Sequence, residues 1–185
     1  GNDSLILGNA ADVLVGGEGT GDTLDINFGA ILGGLNVDLS STTNQLVSMN
    51  GSAPSGTVTG FENVDVSGYT GSFGAQLTAI KGGSTITGTA NADSIIGGAG
   101  VDTITGGNGV DVVNAGGGAD VIVLPDSTDG NNYDQITGFT TASDDIKALQ
   151  SVHGWNSTDG TTTVLLSSGA TLKAADAAAD SNIIT

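Results

Sequence analysis

The sequence predicts an all-β fold, a parallel β-solenoid in which short strands alternate with glycine-rich turns. Three observations predict it: aspartates recur every nine residues in the middle of the chain, a glycine-rich turn precedes each one, and an apolar residue follows two positions later. A nine-residue unit gives about six residues to a turn and about three to a strand whose middle side chain points inward. Two units make one coil, so the aspartates fall alternately on two edges. They are Asp93, Asp102, Asp111 and Asp120.

The individual units fit a common pattern to different degrees. Residues 97–105 (GGAGVDTIT) and 106–114 (GGNGVDVVN) match G-G-x-G-x-D-x-U-x, in which U is apolar, a nonapeptide typical of calcium-binding solenoids. The unit that contains Asp93 has Asn91 in place of the fourth-position glycine, and Asn tolerates a left-handed backbone. The unit that contains Asp120 lacks only the first glycine.

The spacing of the aspartates has an electrostatic consequence. Stacked strands lie about 4.8 Å apart, so two carboxylates held at that separation repel by about 3.5 kcal/mol at an effective dielectric near 20. A hard cation bound between two coils turns this repulsion into a net attraction. Calcium suits such a site, because it prefers carboxylate and carbonyl oxygens. We therefore predict calcium ligands at the aspartates and in the turns beside them. These metal-binding residues are Asp93, Asp102, Asp111, Asp120, Gly88, Gly97, Ala99, Gly100, Gly106, Asn108, Gly109, Gly117 and Gly118.

A weaker block of the same kind opens the chain. The Asp-x-apolar signature at Asp3 recurs at Asp12 and Asp22, nine and then ten residues further on, and residues 16–22 (GGEGTGD) contain one residue more than a regular turn. We add Asp12 and Asp22 to the predicted metal ligands. We also add Asp129 as a terminal site, because it lies 18 residues after Asp111. Since the chain opens on what reads as the end of a turn, we expect it to be part of a longer protein.

With these motifs the chain resembles the RTX class of secreted proteins. The strict motif covers residues 88–123, and the in-phase apolar residues argue against a flexible glycine-rich linker. The resemblance implies a right-handed parallel β-roll (a β-solenoid) stabilised by calcium, export by type I secretion, and an extracellular or cell-surface location in a Gram-negative bacterium.

The chain divides into four blocks around the repeats. The intervening segment alternates apolar and polar residues as half-buried strands do, and it is similar to an interruption found in RTX proteins of bacterial surface layers. We predict a partial N-terminal repeat block at 1–27, a strand-rich intervening segment of the same solenoid at 28–87, the calcium-binding roll at 88–123, and a C-terminal capping region at 124–185.

Details within the flanking blocks follow from local patterns. Residues 42–56 are the least ordered loop candidate, since they combine a proline with Ser, Asn and Gly. Ser84 stands where an aspartate is expected one coil before Asp102, so the coil is predicted to start before the calcium sites do. Residues 170–180 are the one plausible helix, and residues 182–185 fit either an exposed strand or a secretion tail.

Composition restricts the partners of the chain. A formal net charge of −17 excludes nucleic acid as a natural partner and disfavours anionic lipid. With no cysteine, the chain has no disulfide framework, and calcium is expected to take its place. No apolar run reaches the ~18 residues of a membrane span.

The sequence favours a structural function over an enzymatic one. It has a single histidine, His153, and neither H-E-x-x-H nor G-x-S-x-G, so zinc and serine hydrolases lack their parts. We expect a calcium-dependent, self-associating segment of a surface-layer, matrix or adhesin protein. The alternatives are a secretion and folding module of an exported protease or lipase and a ligand-binding adhesin tip.

Overall fold

The fold consists of β-strands joined by turns. The computed structural model describes residues 1–27, 33–124, 134–140 and 142–148, together with the strand at 165–166. All regular secondary structure in those residues is β. The strands are β1 (Ser4–Ile6), β2 (Val13–Val15), β3 (Thr23–Asp25), β4 (Leu35–Asp38), β5 (Leu46–Met49), β6 (Thr57–Thr59), β7 (Asn63–Asp65), β8 (Ala75–Thr78), β9 (Thr85–Thr87), β10 (Ser94–Ile96), β11 (Thr103–Thr105), β12 (Val112–Asn114), β13 (Val121–Leu124), β14 (Gln135–Thr137), β15 (Asp145–Ala148) and β16 (Leu165–Leu166).

The strands form two long sheets and one short one. The first sheet has the order β1-β3-β7-β9-β11-β13-β15, the second has the order β16-β14-β12-β10-β8-β4-β5, and β2 pairs with β6. All these pairs are parallel except β4 with β5. Because alternate strands of the chain enter opposite sheets, each nine-residue unit contributes one strand to one face. The prediction of a parallel β-roll is confirmed.

The register of the pairs repeats the period of the sequence. Thr103 pairs with Thr85 on one side and with Val121 on the other, so equivalent positions stack in phase. In most strands of the two long sheets a central apolar residue points inward and is almost completely buried. In the first sheet these residues include Leu24, Val64, Ile86, Ile104 and Ile122, and in the second sheet Leu77, Ile95, Val113 and Ile136. Each such side chain stabilises the fold by roughly 1.5–3 kcal/mol on burial.

The segment between the two repeat blocks is more ordered than the sequence suggested. The predicted loop at 42–56 contains strand β5, which runs antiparallel to β4. Gln45 precedes this strand and is 3 % exposed. Its side-chain nitrogen donates to the carbonyls of Leu39 (2.8 Å) and Phe61 (2.7 Å), and its oxygen accepts from the Phe61 N–H. These bonds connect the segment between Leu39 and Phe61 to the coil at both of its ends.

The expected C-terminal cap is not confirmed. Strands β14 and β15 do not cross the end of the roll but add parallel rungs to the second and the first sheet. The helix predicted at 170–180 and the tail at 182–185 lie outside the described residues. No helix long and apolar enough to span a membrane occurs in the described part of the chain.

Candidate metal centre

The residues that precede the strands form two rows along the edges of the roll. We define the first row as the residues just before the strands of the first sheet. They are Asp3, Asp22, Glu62, Ser84, Asp102, Asp120 and Asp144. The second row runs along the second sheet and consists of Asp93, Asp111 and Asp134, together with Ala75, the first residue of β8, which is in register with Asp93. Both rows arise because two nine-residue units make one coil, which returns the chain to the same edge.

One oxygen of each carboxylate in these rows holds the preceding coil. In the second row the Asp93 N–H donates to Asp111 Oδ1 (2.9 Å), and the Asp111 N–H donates to Asp134 Oδ1 (2.9 Å). The first row repeats the arrangement, with the Ser84 N–H bound to Asp102 Oδ1 at 2.7 Å and the Asp102 N–H bound to Asp120 Oδ1 at 2.9 Å. The aspartates therefore also set the stacking of the coils.

The second oxygen lacks a partner at four positions. The Oδ2 atoms of Asp22, Asp102, Asp111 and Asp120 are buried and accept no hydrogen bond, and each of these residues is at most 1 % exposed. A buried charged oxygen without a partner costs several kcal/mol, so it requires a proton or a cation. Asp93 differs, because the N–H of Thr89 donates to its Oδ2 at 2.7 Å.

Two of the unpartnered oxygens, those of Asp102 and Asp111, face the first glycine of their turns. A Cβ at Gly97 would lie 3.0 Å from Asp102 Oδ2, and one at Gly106 would collide with Asp111 Oδ2. These glycines are buried, whereas Ala99, Asn108 and Gly117 at the third position of the turns are exposed. The small first residue thus leaves room for the carboxylate inside the turn.

The fourth position of each turn lies against the turn one coil earlier. A Cβ at Gly100 would collide with the backbone of Gly83, and one at Gly118 with the carbonyl of Gly100. Gly109 has a φ of 118°, in the region that favours glycine, and a Cβ there would collide with the backbone of Asn91. The turn backbones, with their carbonyl oxygens, therefore stack as closely as the strands do.

Burial makes ionisation unfavourable for five of the row carboxylates. Desolvation raises the pKa of Asp102 and Asp111 from 3.8 to about 7, although a backbone N–H bound to each carboxylate acts in the opposite direction. Neighbouring carboxylates contribute to this rise: Asp120 for Asp102, and Asp134 and Asp93 for Asp111. Burial also raises the pKa of Asp93, Asp120 and Asp134. A bound divalent cation would offset this cost directly.

The donor set fits calcium. Within the residues that the structure describes, no three His, Cys, Asp or Glu side chains gather to hold a metal ion on their own. The carboxylates are instead spread along the rows, so the remaining ligands would come from turn carbonyls. An all-oxygen shell with many backbone ligands suits calcium and excludes the nitrogen and sulfur ligands that zinc prefers.

Comparison with known families identifies the repeats. A family model described as the RTX calcium-binding nonapeptide repeat (4 copies) matches residues 1–21 and 87–122. The chain carries RTX calcium-binding repeats. Such repeats bind calcium, form a structural rather than a catalytic module, and occur in proteins secreted by the type I route, which implies an extracellular location. No curated protein and no solved structure matches the chain.

One predicted ligand outside the main RTX block, Asp12, lies in different surroundings from the rest. The carboxylate of Asp12 is half-buried and already accepts the N–H groups of Gly8 (2.8 Å) and Asn9 (3.0 Å). Asp129 lies outside the described residues, and the carboxylate that the structure places one coil after Asp111 is Asp134. Gly88 is buried, and a Cβ there would collide with the carbonyl of Gly106 and with Asp93 Oδ2. The positions of the other predicted ligands are given above, and calcium binding by all of them stays a prediction.

Sequence reasoning missed three members of the rows: Glu62, Asp134 and Asp144. Each is followed two positions later by an apolar residue, which is Val64, Ile136 or Ile146. That short signature was present in the sequence. The nine-residue spacing was not, because longer excursions separate these residues from the preceding row members.

Proposed function

We propose that this chain is a calcium-dependent structural segment of a secreted bacterial surface protein, such as a surface layer, extracellular matrix or adhesin, that folds and assembles on calcium binding. The observation that carries the proposal is the set of buried, unpartnered Oδ2 atoms at Asp102, Asp111 and Asp120. They make the metal-free roll unfavourable at neutral pH. Calcium binding and folding are then one event.

Electrostatics supports the dependence of assembly on calcium. With a formal charge of −17, two copies repel until cations bind to them or screen them. Val13 and Val15 of β2 are 71 and 60 % exposed, and they provide apolar surface for a contact between copies once the charge is reduced. These features support self-association of the segment once calcium has bound.

A calcium titration tests both parts of the proposal. Far-ultraviolet circular dichroism should show a disordered chain in chelator and a β-rich chain with calcium. Light scattering should then rise at calcium concentrations above those that complete folding. A β spectrum that calcium leaves unchanged would contradict calcium-dependent folding. A folded monomer at all millimolar calcium concentrations would favour the alternative, a secretion and folding module of an exported protease or lipase.

A further inference from the structure

The first row of carboxylates continues across the segment that interrupts the repeats. Asp22 Oδ1 accepts the N–H of Asp3 at 2.7 Å, and the N–H of Asp22 donates to Glu62 Oε2 at 2.9 Å. Each of these contacts repeats the link by which Asp120 holds Asp102. Asp22 and Glu62 are 40 residues apart in the chain, yet they are consecutive members of the row because β3 pairs with β7.

Asp22 also has the feature that marks the predicted calcium ligands. It is 0 % exposed, and its Oδ2 atom is buried without a hydrogen-bond partner. This oxygen faces the turn: a Cβ at Gly19 would lie 3.0 Å from Asp22 Oδ2 and also 3.0 Å from the carbonyl oxygen of Gly1. A carboxylate oxygen and a carbonyl oxygen of the preceding coil therefore converge on one point of the turn.

We propose that Asp22 and Glu62 hold a calcium ion together with carbonyl oxygens of the 16–21 turn. Glu62 replaces the aspartate that the next coil supplies elsewhere, and its longer side chain still reaches the backbone of Asp22. The ion neutralises both carboxylates and fastens the intervening segment to the N-terminal coils. This inference rests on the proposed function only in taking calcium as the cation.

The nonapeptide pattern points to Asp22 as a ligand but does not reveal Glu62 as its partner, for two reasons. The turn before Asp22 contains one residue more than the repeat allows, and the second carboxylate comes from Glu62 in a segment outside both matched ranges. The structure brings them together because the first sheet restores the register after the excursion.

Glu62→Gln in the full chain tests the proposal, because Gln keeps an acceptor for the Asp22 N–H and loses the charge. The matched control is Glu18→Gln, the same change at an exposed position of the same turn. Equilibrium dialysis with radioactive calcium should show one ion fewer per chain for Glu62→Gln, or one site weakened by about tenfold or more. Limited proteolysis at saturating calcium should show faster cleavage within 33–61. Glu18→Gln should match the wild type in both measurements.

Two further variants separate the possible failures. Asp22→Asn should reproduce the loss seen for Glu62→Gln, and circular dichroism at saturating calcium establishes whether each variant folds. Should Glu62→Gln not fold, Asp22→Asn decides, since it leaves Glu62 in place. Wild-type stoichiometry and affinity in Asp22→Asn and Glu62→Gln, beside a weakened Asp111→Asn, would overturn this site alone. Wild-type calcium binding in Asp111→Asn as well would overturn the proposed function.

Discussion

Replacing Asp111 by Asn should have opposite effects on the metal-free and the calcium-bound chain. Asn keeps an oxygen that accepts the N–H of Asp93, so the link between coils survives. It removes the negative charge that burial and the carboxylates of Asp93 and Asp134 oppose. It also removes one anionic oxygen from the predicted calcium site. The metal-free fold should therefore gain stability, and the calcium-bound fold should lose it.

The structure sets the size of both effects. A pKa of about 7 in place of 3.8 means that holding Asp111 ionised at neutral pH costs the metal-free roll roughly 4 kcal/mol, at about 1.4 kcal/mol per pKa unit. Most of this cost disappears in the variant. Loss of an anionic ligand from a buried site costs about 3 kcal/mol, which weakens calcium binding at that site by about a hundredfold and so raises the calcium concentration at the folding midpoint.

Circular dichroism during a calcium titration measures the midpoint, and the β content in chelator at pH 7 measures the metal-free gain. Asp25→Asn is the matched control, because Asp25 lies outside the rows and its pKa is raised by burial and by Asp65. Asp25→Asn should relieve repulsion and leave the midpoint equal or lower. Equal changes in the two variants would mean that calcium only screens surface charge, and the reasoning from Asp111 would be refuted.

Three more outcomes follow from the same geometry. Because the pKa of Asp111 is raised in the fold, metal-free stability should be present below pH 4 and lost as the pH rises through about 7; circular dichroism in chelator that stays constant from pH 4 to 8 would contradict this. Gly106→Ala should raise the calcium midpoint because its Cβ meets Asp111 Oδ2, whereas Gly117→Ala meets nothing within 4 Å and should not. Ile104→Ala should lower the unfolding free energy in urea with calcium by about 2–5 kcal/mol, against less than about 1 kcal/mol for the exposed Val112→Ala.

The regular part of the fold could be predicted because one short period controls it. Once Asp102 and Asp111 are placed nine residues apart, the inward positions of Ile104 and Val113 and the two edges follow from strand geometry. This part of the prediction needed no knowledge of distant contacts.

The irregular part could not be predicted. Long insertions between strands break the nine-residue spacing in the sequence, although the strands on either side still pair in register. Lengthening a loop costs little free energy, so the 40 residues between Asp22 and Glu62 leave the sheet pairing intact. The strand at Leu46–Met49 was missed for another reason. It depends on the buried amide of Gln45, whose partners are backbone groups that no side-chain pattern records.

The rows have a direction, and this separates the two roles of each aspartate. The N–H of Ser84 depends on Asp102, which belongs to the following coil, so a lost carboxylate disturbs the coil before it. Asp102→Ala leaves that buried N–H without its acceptor, at a cost of about 1–3 kcal/mol, whereas Asp102→Asn retains an acceptor. Both variants lose the same charge and the same calcium ligand. The difference in their unfolding free energies at saturating calcium should therefore measure the bond between the coils alone. If Asp102→Ala and Asp102→Asn are equally stable, the carboxylate does not hold the preceding coil, and its burial serves the cation only.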